Sequence, residues 1–247
     1  MRFALFRRTS PDPAHLEVAH AGRSFQVALR RRPTARRITL RVSNATGDVV
    51  LTLPEHADLS AARRFADAHG GWIAARLERV PRRVAFKHGA TLPFRGVQHR
   101  IAHWSNIGGP TEATVDPAGE RVIAVSCDRP HVARRVHEFL EREARKDLAR
   151  AVKKYTAALG VAAKRLAVRD TTSRWGSCSA KGCLSFSWRL ILAPPYVLDY
   201  LAAHEVAHLK EMNHSHRFWR ELHRLCPKTE EAERWLKRHG TELHRYG

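Results

Sequence analysis

Histidine 204, glutamate 205 and histidine 208 stand in the order His-Glu-Val-Ala-His, and a further histidine, His214, follows six residues later. On an α-helix, positions i and i+4 share a face one turn apart, so His204 and His208 can direct their imidazoles at a single point. That is the donor set a zinc ion takes. Glu205 lies about 100° further round the helix. Its carboxylate there misses the inner shell of an ion but reaches a water the ion activates, the place of a general base in metal-assisted hydrolysis. A third ligand from the next turn of the same helix would lie in line with the first two and leave a tetrahedral ion open on one side. The chain must therefore turn, and Asn213 is the expected turning residue because Asn tolerates the left-handed conformation that ends helices. His214 follows it directly, and His216 is an alternative third ligand on geometry alone.

The chain holds 16 histidines, so a chance pentapeptide on an amphipathic helix with two solvated imidazoles is a real competing reading. The surroundings count against it. Pro194-Pro195 stops the preceding segment, and Pro195 suits a first-turn position. Val197, Leu198, Leu201, Ala202 and Val206 then recur at helical spacing, which anchors the metal-binding helix in a core. Upstream, Leu184, Phe186, Trp188, Leu190 and Leu192 occupy alternate positions, predicting a strand over 183–192 with one buried face. A free edge on that strand would receive an extended peptide. Ser215 suits an N-cap, with Phe218 and Trp219 packed behind the metal helix. Trp175 and Trp188 are expected in the core. Arg174, Arg189, His216 and Tyr246 are the candidates for stabilising an oxyanion.

Several of these stretches together resemble a known family. Arg174-Trp175-Gly176-Ser177-Cys178, Ser185 to Leu190, Ala193-Pro194-Pro195, His204 to His208, Asn213-His214-Ser215 and Phe218-Trp219 resemble the YgjP-like metallopeptidases, zincin-type proteins related to the SprT and WLM groups. The resemblance extends to a basic strand pair around Arg36 to Val42 and is most specific in the last third. It implies zinc bound by His204, His208 and His214 with Glu205 as catalytic base, and so favours His214 over His216. The implied reaction is hydrolysis of peptide bonds in a protein or peptide substrate. SprT relatives often carry a cysteine-rich zinc ribbon, which this sequence lacks, so functions tied to that module are not carried over.

Composition limits the alternatives. Hydrophobic residues make up 43% of the 247, enough for a substantial core. No run approaches the roughly 18 apolar residues of a membrane span, and the apolar part of Met1 to Arg8 is too short for a signal peptide, so no membrane partner and a cytoplasmic location are expected. Cys127, Cys178, Cys183 and Cys226 show no Cys-x-x-Cys spacing and suit reduced thiols better than a disulfide framework. With 44 Lys+Arg against 24 Asp+Glu, the net charge is +20. Residues 1–128 carry 20 basic against 11 acidic residues and 129–247 carry 24 against 13, so the excess is spread along the chain. A solvated basic surface accounts for it, and docking on nucleic acid is the functional alternative. A basic nucleic-acid-binding protein with a structural zinc site is therefore the rival class, distinguished by whether a coordination position stays open beside Glu205.

The expected fold class is α+β. A β-rich amino-terminal region, 1–128, holds strands at 25–30, 38–43 and 49–53, a helix from Leu59 to Val80 capped by Asp58, and short strands at 100–103, 112–115 and 122–126. A zincin-like metallopeptidase domain, 129–247, follows, with a long helix over 131–159 closed by Gly160, a small sheet, the metal-binding helix and two short helices ending near Gly240. No internal repeat stands out in the sequence.

Overall fold

The structure is a computed structural model and describes residues 12–105 and 108–247; the amino-terminal Met1 to Arg8 segment discussed above lies outside them. The chain forms two compact units, Met1–Pro81 and Arg82–Gly247.

In the first unit, strands β1 (His15–His20), β2 (Arg23–Arg31), β3 (Thr39–Val42) and β4 (Val49–Leu53) form a sheet in the order β1-β2-β4-β3. Helices α1 (Leu59–Ala68) and α2 (Gly70–Glu78) complete it. Leu16, Val18, Phe25, Val27, Leu51, Leu53, Ala62, Ala66 and Ile73 form its core. Asp58 caps α1 through Ser60 N–H, as its side chain suggests. The helix expected over 59–80 is broken at His69, where two glycines follow and the His20 side chain lies 3.0 Å from where a Cβ on Gly70 would be.

In the second unit, β5 (Thr91–Phe94), β6 (Val97–Trp104), β7 (Glu112–Val115) and β8 (Arg121–Ser126) form a sheet ordered β5-β6-β8-β7. Its pairings repeat those of the first sheet: an antiparallel hairpin, a parallel middle pair, then an antiparallel partner. Even the first turns agree, with Ala21 (φ 48°) before Gly22 and Arg95 (φ 51°) before Gly96, the left-handed pair of a type I′ hairpin. The chain thus contains a structural repeat that its residues do not display.

Helix α3 (Val132–Leu159) follows, ended by Gly160 in the left-handed conformation (φ 69°). Ile101, Ile123 and Val125 of the sheet share one core with Phe139, Leu140 and Leu148 of α3 and with Val197, Ala202 and Val206. The expected boundary at 128/129 therefore falls inside a unit, because the β5 to β8 sheet shares its apolar face with α3.

A three-stranded sheet, ordered β10-β11-β9, comes from β9 (Arg165–Arg169), β10 (Gly176–Cys178) and β11 (Cys183–Ser187). The strand predicted over 183–192 stops at Ser187, whose hydroxyl accepts from Arg189 N–H and starts a 3-10 helix over Trp188–Leu192. All five of those residues are buried, so their alternation is not that of a one-sided strand. Helices α4 (Pro195–Ala207), α5 (His216–Leu225) and α6 (Thr229–Leu243) complete the unit, α6 passing Gly240 by one turn. No helix among the described residues is long and apolar enough to cross a membrane.

Candidate metal centre

Helix α4 carries the pentapeptide, and nearly every residue from Val197 to Ala207 is buried, more than the single apolar stripe required. Such a helix is enclosed on all sides. It opens at its carboxyl end, where the helix stops at Ala207 and His208 becomes the C-cap. Backbone bonds from Leu209, Lys210 and Glu211 N–H back to Val206 and Ala207 wind the chain out of the helix. The turn is made there, and Asn213 has no positive φ, so the left-handed turn expected of it does not form.

The reversal brings His214 to His204 and His208, and one nitrogen from each lies within 4.8 Å of the others. His204 Nε2 and His214 Nε2 are 3.2 Å apart. Ligand nitrogens 2.0–2.1 Å from a tetrahedral ion are about 3.3 Å from one another, so this spacing suits a shared ion. His216, the alternative ligand, is the exposed first residue of α5 and lies outside the cluster. Phe218, fully buried, is the floor on which the three imidazoles rest, with ring centroids 5.0, 4.5 and 4.8 Å from those of His204, His208 and His214. Ser215 caps α5 by accepting from Phe218 N–H, which holds that floor in place.

Two hydrogen bonds orient the rings. Tyr200 donates to Glu233 Oε1 at 2.8 Å, leaving its oxygen to accept from His204 Nδ1 at 3.4 Å. His208 Nδ1 donates to the Glu211 carbonyl at 3.0 Å. Each bond puts the proton on Nδ1 and leaves Nε2 bare for a metal. Burial pushes His204 down to about 4, with His208 and His214 adding to it, so its imidazole is neutral at neutral pH. Burial also lowers His208, with the Glu211 bond acting against it. A neutral, oriented imidazole is what a ligand must offer.

Glu205 is 5% exposed and lies against the backbone of β10. A Cβ on Gly176 would come within 2.5 Å of Glu205 Oε1 and 2.8 Å of its Cγ, so only glycine leaves room for the carboxylate. Burial pushes Glu205 up to about 7, while the charge of Arg174 draws it down. Neighbouring Cys178 is raised to about 11 by burial, then by Glu205 and Cys183. Cys178 lies opposite Leu184 across the hairpin, on the face away from Cys183, and all four cysteines are free thiols.

A model of the YgjP-like metallopeptidase domain matches residues 36–239, over four-fifths of the chain. The chain belongs to the YgjP-like metallopeptidases. Membership makes it a peptidase acting with a metal ion on protein or peptide substrates. No curated protein matches it. A solved structure, the metallopeptidase zymogen of Pyrococcus abyssi abylysin, is similar at 25% identity with a TM-score of 0.35, covering 40% of this chain and 97% of that one.

Within this YgjP-like unit, one oxyanion candidate serves elsewhere. Arg189 is buried and forks onto Asp170 at 2.9 and 3.1 Å, while its third nitrogen donates to the Leu243 and Tyr246 carbonyls. The backbone of Tyr246 bridges to Val84. Arg174 alone of the four is coupled to Glu205. The peptide-binding edge expected on 184–192 is also absent, because β11 is paired on both sides. The sheet edge beside Glu205 is β10. Tyr200 was within reach of sequence reasoning, four residues before His204 on the same helical face. Gly176 lies in the Trp-Gly-Ser motif but gives no hint of its neighbour. Glu233 is brought in only by the packing of α6 on α4.

Proposed function

We propose that the protein is a zinc-dependent metallopeptidase in which His204, His208 and His214 hold the ion and Glu205 is the general base. The observation that carries this reading is the convergence of three imidazoles, two of them with Nδ1 hydrogen-bonded, beside a buried carboxylate that makes no ion pair among the described residues. A bound zinc ion supplies a Lewis acid that brings the pKa of water toward neutrality and polarises a carbonyl oxygen. The protein's own groups do the rest. Glu205, poised near neutrality, accepts the proton of the attacking water and returns it to the leaving amine. Gly176 fixes where that carboxylate can sit. Tyr200 and the Glu211 carbonyl keep His204 and His208 turned toward one point. The free edge of β10, running past Glu205, offers main-chain hydrogen bonds to an extended peptide.

Elemental analysis of wild type and variants tests the site. One zinc per chain should persist in His216→Ala and Glu205→Gln and be lost in His204→Ala and His214→Ala. Glu205→Gln should lower peptide turnover by at least about 100-fold. Zinc retained at full occupancy without His214 would refute the ligand set, and turnover retained in zinc-loaded Glu205→Gln would refute the base.

A further inference from the structure

A groove of about 500 Å³ opens where three segments meet: the exit of α3, the β10–β11 turn and the exit of α4. Its apolar part is Val161, Leu209 and Met212, and Met212 is 54% exposed, one of the largest apolar side chains left open to solvent. Its polar part is Lys164 and Lys181, both exposed and neither within ion-pair distance of a carboxylate among the described residues. The groove is rigidly built. Lys164 N–H donates to the Gly182 carbonyl at 2.9 Å, and Gly182 N–H donates to Ser179 at 2.8 Å. It also adjoins the metal centre along the chain, since Leu209 follows His208, Met212 precedes His214 by two residues, and Ser179 continues β10 from Gly176.

We propose that this groove is a specificity subsite that selects substrate peptides carrying Asp or Glu side chains about three residues from the cleaved bond. The inference rests on the peptidase reading above. Three residues separate Gly176, against Glu205, from Ser179, or about 10 Å of extended chain. A peptide paired on the β10 edge with its scissile bond at Glu205 therefore lays a side chain over the groove about three positions along. Two lysines without partners attract a carboxylate there, and the apolar floor accepts the aliphatic part of the same or a neighbouring side chain. A nucleic acid is the poorer match, because among the described residues no aromatic or arginine side chain lines the groove to stack on a base.

The test uses zinc-loaded full-length protein and end-blocked fluorogenic peptides identical except for Glu, Gln or Lys at positions two to four on either side of the cleaved bond. Wild type should prefer Glu over Lys by about tenfold in kcat/KM at one position, and Lys164→Glu/Lys181→Glu should reverse the order. Anisotropy of the same labelled peptides on zinc-loaded Glu205→Gln reads the groove apart from turnover and should show the same order. Cleavage with no charge preference, or a preference that survives in the double variant, would overturn the subsite and leave the peptidase reading standing. Charge-selective binding without cleavage of any peptide by wild type would instead overturn the peptidase reading. Loss of a labelled oligonucleotide by the double variant, with the peptide preference unchanged from wild type, would also overturn the subsite.

Discussion

At the scale of single residues, the proposed chemistry depends on one carboxylate being held where a backbone leaves room for it. Gly176→Ala is the sharpest probe, since its Cβ would sit 2.5 Å from Glu205 Oε1 and backbone cannot yield as a flexible side chain does. The variant should fold and keep zinc, while Glu205 is pushed off its position and turnover falls by about 100-fold. Zinc analysis beside a peptidase assay checks this, and unimpaired turnover would show that the placement of Glu205 is not limiting. Tyr200→Phe should be milder, loosening His204 by removing the oxygen that its Nδ1 faces and weakening zinc affinity by about tenfold, measured by competition with a chelator. The two helical histidines and the glutamate were legible because one helix places all three through local spacing. Gly176 was not, because its role depends on a carboxylate 29 positions away that only tertiary packing brings to it.

Elements show where pattern and packing part. Leu184 to Leu192 alternates like a strand, yet only Cys183–Ser187 pairs, because the Ser187 cap and complete burial favour a 3-10 turn beyond it. Periodicity reports which side chains are apolar, not whether one face or both are covered. β10 escaped notice for the opposite reason: Gly-Ser-Cys has no pattern to read. The long helix α3 was legible almost to the residue, since an apolar face over many turns and a closing glycine agree. Arg189, which its place in the sequence put near the chemistry, acts as a clamp on the carboxyl-terminal segment. Although burial works against the Asp170 carboxylate, the Arg189 guanidinium holds it below the usual range. Arg189→Met would strand two backbone carbonyls and Asp170, and should cost about 2–3 kcal/mol in urea unfolding, less than a fully buried pair because Asp170 is half-exposed. A loss below about 0.5 kcal/mol would mean that the clamp contributes little.

For the molecule as a whole, acid sensitivity should come in part from the carboxyl terminus. His244 stacks on Trp175 with ring centroids 4.8 Å apart, and its Nδ1 is buried without a partner among the described residues. Burial, then the charge of Arg189, pushes it down from 6.5 to about 4, against the pull of Asp170. An unfolded chain takes up that proton near pH 6.5, whereas the folded one resists until about pH 4, so stability is intact above 6.5 and declines as pH falls through this window. Between pH 7 and pH 4 the melting temperature of His244→Phe should fall less than that of wild type; parallel curves would exclude His244 as the source. The repeated sheet supplies a comparison of another kind. Both copies share a strand order, a left-handed first turn and a helix after the fourth strand, but that helix is 10 residues in α1 and 28 in α3. Subtracting one copy from the other leaves the lengthened helix, the three-stranded sheet and the metal helix. That remainder carries Gly176, His204, Glu205 and His208, so a frame present twice has a candidate metal centre only once, in the elements that are not repeated.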